Sequence, residues 1–326
     1  MDILIYRMRL SRQEHAPWFH TGHRENQSSD LAYAGRSQYI LMEDGKMKSM
    51  LVVAMSLMLL GMGASSVLAD VSPDTDLEIY QGYFKKRFPE FNAENYSLGM
   101  YNFNEDKRSQ WEAIMEFPPY ETVVDDGEQL FNTPFKNGKT YADCLENGGI
   151  GIAHTYPRFD AKTGKVKTLS MEINECRESN GENALKLLKG DLPAILAYLA
   201  ETSRGKPLEF TVPDDPRALA AYEDGKRIYF TRRGPRGFAC YHCHWEAAGS
   251  RIRGNELSPA IGQAANFPAY RSKWGAMGPI QRRYKGCMKN VGARPLKEGS
   301  VGMNNLEYFH RRLSNGLPSN APNNRF

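Results

Sequence analysis

The feature that most constrains the fold is an internal repeat, because a module present twice must bury the same pattern of apolar residues twice. Asp126-Gly127 lies 18 residues before Cys144, and Asp224-Gly225 lies 16 before Cys240. Gly151 is followed five residues on by Tyr156-Pro157-Arg158-Phe159, and Gly262 likewise by Phe267-Pro268-Ala269-Tyr270. Pro157 precedes Cys176 by 19 residues, and Pro268 precedes Cys287 by the same 19. Leu196-Ala197-Tyr198 with Ser203 and Gly205 is answered by Leu306-Glu307-Tyr308 with Ser314 and Gly316. Each copy has a helix-like segment before its first cysteine (Asp125 to Phe131; Pro216 to Phe230), a Gly/Pro-rich middle and an apolar-periodic helix near its end (Ala184 to Glu201; Met303 to Leu313). Few stretches alternate as strands.

The second copy contains Cys240-Tyr241-His242-Cys243-His244, two thiols and an imidazole at the spacing that attaches haem covalently. Cys240 and Cys243 would form the thioethers and His244 would bind iron. A zinc knuckle or redox dithiol competes, but zinc needs about four ligands and no second C-x-x-C exists. Helix, haem motif, loop-rich middle and C-terminal helix is the order of small c-type cytochromes. The expected fold is therefore all-α, two tandem cytochrome c-like domains at 70–203 and 204–326, only the second carrying haem. Gly205, Pro207, Pro213 and Pro216 punctuate the linker from Ser203 to Asp215.

Length and charge leave room for this reading. A chain of 326 residues with 41% hydrophobic composition can bury a proper core, and a net charge of +4 does not argue for nucleic acid. Lys48 precedes an apolar run from Leu51 to Leu60, and small residues follow to Ala69. Residues 47–69 read as a secretory signal peptide cleaved after Ala69, the alternative being an uncleaved anchor; no membrane span is expected after cleavage. Residues 1–46 mix charged and polar residues with no sustained apolar period, and are expected to be a mis-called N-terminal extension. Export places the mature chain in an oxidising compartment, the periplasm, where disulfides persist.

In the first copy, Cys144-Leu145-Glu146-Asn147-Gly148 stands where the haem motif should be, so the second thiol and the axial histidine are both missing. One covalent haem c per chain is expected. Cys144 and Cys176 would flank a vacated pocket and could close a disulfide, or remain as two buried free thiols. Cys287, the repeat equivalent of Cys176, is then the odd thiol, and its register makes it a candidate sixth ligand opposite His244. Met277, Met288 and Met303 offer the ligand type usual in electron-transfer cytochromes. From Arg271 to Arg312 there are ten Lys or Arg residues against Glu298 and Glu307, and Arg282, Arg283, Lys285 and Lys289 lie within five residues of Cys287. Such a field lowers a thiol pKa and draws in small oxyanions.

These motifs, with Arg283-Tyr284-Lys285-Gly286-Cys287, Val291-Gly292-Ala293, Leu306-Glu307-Tyr308-Phe309-His310 and Ser314-Asn315-Gly316-Leu317-Pro318, resemble the SoxA family across nearly the whole mature chain. Members are catalytic cytochrome subunits of SoxAX, an L-cysteine S-thiosulfotransferase of periplasmic sulfur oxidation. The resemblance implies that Cys287 is both axial ligand and catalytic sulfur, that Arg283 contacts substrate and that Arg312 lines the same site. It implies a SoxX-type partner in a heterodimer, a SoxYZ-type sulfur carrier, thiosulfate as substrate and a c-type cytochrome as electron acceptor. Asn147 and Gly148 depart from the dihaem members and fit the monohaem type. A plain periplasmic electron-transfer cytochrome with Met ligation is the alternative.

Overall fold

The computed structural model describes residues 71–326, which form one compact unit; the expected signal at 47–69 and the extension at 1–46 lie outside them. Three helices come first: α1 (Pro73–Arg87), α2 (Ala93–Leu98) and α3 (Glu105–Met115). Local chemistry sets their ends. The Ser72 side chain accepts from the Thr75 amide, Pro73 sits in the first turn where its missing N–H costs nothing, and Lys85, Lys86 and Arg87 face the carbonyl end of the helix dipole. Asn92 and Asn95 cap α2 reciprocally.

The repeat follows. The first copy comprises α4 (Glu121–Asn132), the hairpin β1 (Arg158–Asp160)–β2 (Lys165–Lys167), α5 (Leu169–Ser179) and α6 (Asp191–Glu201). The second comprises α7 (Pro216–Phe230), one π-turn at His242–Glu246, the two-residue strands β3 (Arg251–Ile252) and β4 (Asn255–Glu256), the hairpin β5 (Ala269–Arg271)–β6 (Ala276–Gly278), α8 (Ile280–Asn290) and α9 (Val301–Arg312). From β1 to the end of α5, each element recurs 111 residues later as β5, β6 and α8, without a gap. The last strand, β7 (Asn323–Arg325), pairs in parallel with β5.

Within each copy the first and last helices make the most extensive packing, and a glycine lets them touch. A Cβ on Gly127 would lie 2.1 Å from the Ala194 carbonyl oxygen on α6, and one on Gly225 would lie 2.0 Å from that of Asn305 on α9. The Asp-Gly pairs of the sequence repeat are thus helix-crossing points.

Two features differ from expectation. About half of the described residues are helical, and among them lie three small sheets with strands of two or three residues, too short to show alternation. More consequentially, α1–α3 precede the first copy in sequence yet pack on the second. Arg87 donates to the carbonyls of Trp245, Glu246 and Ala248, Gln81 to that of Asn315, and Lys107 pairs with the buried Glu256 at 2.7 Å. Tyr80, Tyr83 and Phe84 surround Trp245.

Cys144 and Cys176 are joined in a disulfide with Cα atoms 5.8 Å apart, closing a loop of sequence separation 32. Phe131, Tyr141, Ile173, Ile195 and Leu199 fill the core beside it. Replacing both cysteines with Ser is expected to lower unfolding stability by about 3–4 kcal/mol in a denaturant titration, the chain-entropy value for such a loop. The haem spectrum should stay the same. A joint loss of stability and of haem spectrum would mean that the first copy supports the second far more tightly.

Candidate functional site

The site is assembled from α7, the turn after it and α8. Beyond α7 the chain doubles back through an Arg233–Phe238 bridge and enters the π-turn that holds Cys243 and His244. The His242 Nδ1 accepts from the Ala239 amide at 2.9 Å, fixing the start of the turn. Trp245 is buried under α1, so the turn is clamped on its far side.

His244 is oriented for ligation. Its Nδ1 lies 3.0 Å from the Ser258 carbonyl oxygen. The Gln263 side-chain amide nitrogen lies 2.8 Å from the same Nδ1 and 3.3 Å from Nε2. Since a carbonyl can only accept, the tautomer that satisfies Ser258 is the one with the proton on Nδ1, which leaves the Nε2 lone pair for a metal. Burial, aided by the Arg283 charge and opposed by that carbonyl, lowers the imidazole pKa to about 4. The ring is neutral at physiological pH, the form that binds a metal.

Three thiols converge here. Burial first, and then the neighbouring Cys287, pushes the Cys240 thiol up to about 12 and raises that of Cys243 as well. The hydroxyl of Tyr229, fully buried on α7, lies within electrostatic reach of Cys240, Cys243 and Cys287 together. Cys287 on α8 therefore faces the attachment motif, as the repeat register requires. Tyr229 Oη and Arg233 Nε, both within electrostatic reach of Cys240, are buried without a hydrogen-bond partner. A buried unpaired polar group costs roughly 1–3 kcal/mol, so two beside one set of thiols fit a group that brings its own acceptors, as the propionates of a haem do. Cys240, Cys243 and His244 would hold that haem and Cys287 would face its other side.

Arg283 sits one turn before Cys287 on the same face of α8. It acts on both His244 and Cys243, and no carboxylate among the described residues pairs with it. Its basic neighbours are engaged or turned outward. Arg282 stacks 4.4 Å from the Trp274 ring and donates to the Met277 carbonyl, Lys285 pairs with Glu298, and Lys289 is exposed.

The other sequence-derived candidates have their own surroundings. Arg312 is buried and donates to the Phe210 carbonyl and to Asp74, which ties α9 to the start of α1. Met277 packs with Tyr120 and Ala197 against the first copy. Met288 and Met303 are buried. Sequence patterns alone left Tyr229, Arg233, Trp245 and Ser258 unmarked, since only the fold turns them toward the motif.

Comparison with known proteins agrees with this geometry. The family model described as SoxA/TsdA, cytochrome c domain, matches residues 126–208, the copy without a haem motif. L-cysteine S-thiosulfotransferase subunit SoxA of Allochromatium vinosum is 46% identical over 255 residues, covering 78% of this chain and 90% of that protein. Its namesake in Chlorobaculum tepidum is 44% identical, covering 77% and 87%. The crystal structure of SoxXA from P. pantotrophus superposes with a TM-score of 0.59 at 30% identity, covering 64% of this chain and 79% of that one. With this identity over nine-tenths of a relative's length, and with the repeat, the attachment motif and the facing thiol all in place, the chain belongs to the SoxA family.

Proposed function

We propose that this chain is the catalytic cytochrome subunit of a periplasmic L-cysteine S-thiosulfotransferase, acting with a SoxX-type cytochrome partner. It joins thiosulfate oxidatively to a cysteine of a SoxYZ-type carrier. The observation that carries the reading is the convergence of Cys287 and the unpaired Arg283 on the haem-attachment motif. The chain is read as two tandem cytochrome c-like modules with one haem c, held by Cys240, Cys243 and His244, because Asn147 and Gly148 replace the motif in the first copy. Cys287, on the facing helix, would join those three residues in holding the haem.

When bound, the haem supplies a one-electron acceptor that passes electrons on through the partner subunit to a c-type cytochrome. The residues of the chain do the rest. Arg283 binds the oxyanion end of thiosulfate through charged N–H donors and holds its sulfane sulfur toward Cys287. The Cys287 thiolate forms a bond to that sulfur with loss of two electrons, giving a Cys287 thiosulfonate. The carrier thiol then attacks the same sulfur, releases the Cys287 thiolate and loses its proton. The sum is thiosulfate plus carrier thiol giving carrier thiosulfonate, one proton and two electrons.

The test uses the purified complex with thiosulfate, carrier and oxidised cytochrome c. A pyridine haemochrome assay should return one haem for this chain. Arg283→Ala should leave the haem spectrum nearly unchanged and raise the KM for thiosulfate by about 10- to 150-fold, the range for a charged hydrogen bond. An unchanged KM would remove Arg283 from the site.

A further inference from the structure

The constant offset between the two copies permits a residue-by-residue comparison of the same backbone with and without a haem motif. Asp160 at the end of β1 corresponds to Arg271 at the end of β5, and Glu172 on α5 corresponds to Arg283 on α8. Both carboxylates of the first copy have become guanidinium groups in the second. The counter-ions have gone too. Asp160 pairs with Lys167 at 3.4 Å and Glu172 with Arg158 at 3.9 Å. The positions matching Lys167 and Arg158 are Gly278 and Ala269, which carry no charge. The second copy therefore concentrates two cations where the first is balanced within itself.

We infer that Arg271 is a second substrate-binding residue, forming with Arg283 a paired guanidinium site for the dianionic oxyanion of thiosulfate beside Cys287. The inference rests on the transferase reading above. β5 pairs with β6, which runs through Pro279 straight into α8, so the arginines occupy neighbouring elements of one rigid unit. Arg271 and Arg283 repel one another, while Cys287 attracts Arg271. Burial is the chief cause that brings the Arg271 pKa down to about 10, and the Arg283 charge adds to it, yet the group remains a cation at neutral pH. Among the described residues no Asp or Glu side chain pairs with either arginine, and two partly desolvated cations so placed are costly unless an anion completes them.

Arg271 is also preorganised. Its guanidinium donates to the main-chain oxygen of Phe326, lies 5.2 Å from the Trp274 ring, and rides on a strand held between β6 and β7. That leaves one face of a planar fork fixed in place, the geometry that matches a tetrahedral oxyanion. Arg312, engaged with Asp74 and Phe210, has no such freedom.

The experiment compares wild type, Arg271→Gln and Arg283→Ala in the complex with its partner subunit. Thiosulfate is titrated into the oxidised protein and followed by the haem absorption band, and KM is measured with the carrier. Arg271→Gln should keep the haem spectrum without thiosulfate, weaken thiosulfate binding by about 10- to 100-fold and reduce its dependence on ionic strength. Should that variant fail to load haem, Arg271→Lys, which keeps charge and stem but not the planar fork, should raise KM severalfold. Unchanged binding and KM in whichever variant folds overturns the assignment. If they are unchanged while Arg283→Ala is impaired, Arg271 is out and the transferase reading stands, whereas turnover that survives loss of Cys287 overturns that reading itself.

Discussion

Replacing Cys287 with Ser is expected to abolish thiosulfate-dependent turnover, by at least about a thousandfold, and to change the haem spectrum at the same time. The two effects go together because one sulfur serves two roles. A serine hydroxyl cannot form the sulfur–sulfur bond that carries the thiosulfonate, and removing a covalent nucleophile is among the most damaging single changes an enzyme can suffer. Nor is it a soft, electron-rich ligand, so the low-spin thiolate signature in EPR should disappear. Cys287 is the thiol that the fold turns toward Cys240, Cys243 and Tyr229, while the methionine at 277 is used to join the copies. If Cys287→Ser kept full activity with thiosulfate and carrier, the transferase mechanism would be wrong and plain electron transfer would take its place. If activity were lost with an unaltered spectrum, Cys287 would be a nucleophile but not a ligand.

Much of this was legible in the sequence because the informative signals were short-range or periodic. The attachment pentapeptide, the cysteine pairing across the first copy and the register of Cys287 depend on spacing alone. What the sequence hid depends on contacts between distant residues. Arg87 and Trp245 lie 158 residues apart, and nothing in the composition of α1 announces that it clamps the haem turn rather than the copy it precedes. Strands as short as β3 and β4 cannot show a period of two. The partners of Arg312 were hidden for the same reason: Asp74 and the Phe210 carbonyl lie 238 and 102 residues away, and only the packing brings them to its guanidinium. For Arg271 the signal sits in the sequence itself, as Asp160 at the same place in the other copy.

The close approach at Gly225 makes the other large prediction. Gly225→Ala is expected to prevent haem-loaded protein from accumulating, whereas the same change on the surface of a helix would be mildly stabilising, since Ala is a better helix former. The added methyl would sit 2.0 Å from the Asn305 carbonyl oxygen and 2.9 Å from Phe309 Cβ, and backbone cannot move aside as a flexible side chain can. α7 and α9 would have to separate. That shift carries Tyr229, which packs against Phe309 and His310, away from the thiols it faces, and exposes the aromatic cluster of Tyr80, Phe230 and Phe309. Overpacking of this kind costs about 1–3 kcal/mol when neighbours yield, and more when they are backbone. The measurement is the yield of covalently loaded haem in cells, with the unfolding midpoint of any protein recovered. Gly127→Ala provides the internal comparison: its clash with the Ala194 carbonyl is of the same size, at 2.1 Å, but it falls in the copy that the disulfide closes. It should lower stability while leaving the haem spectrum of the recovered protein unchanged. Equal loss of haem in both variants would mean that the second copy cannot form its site until the first has folded.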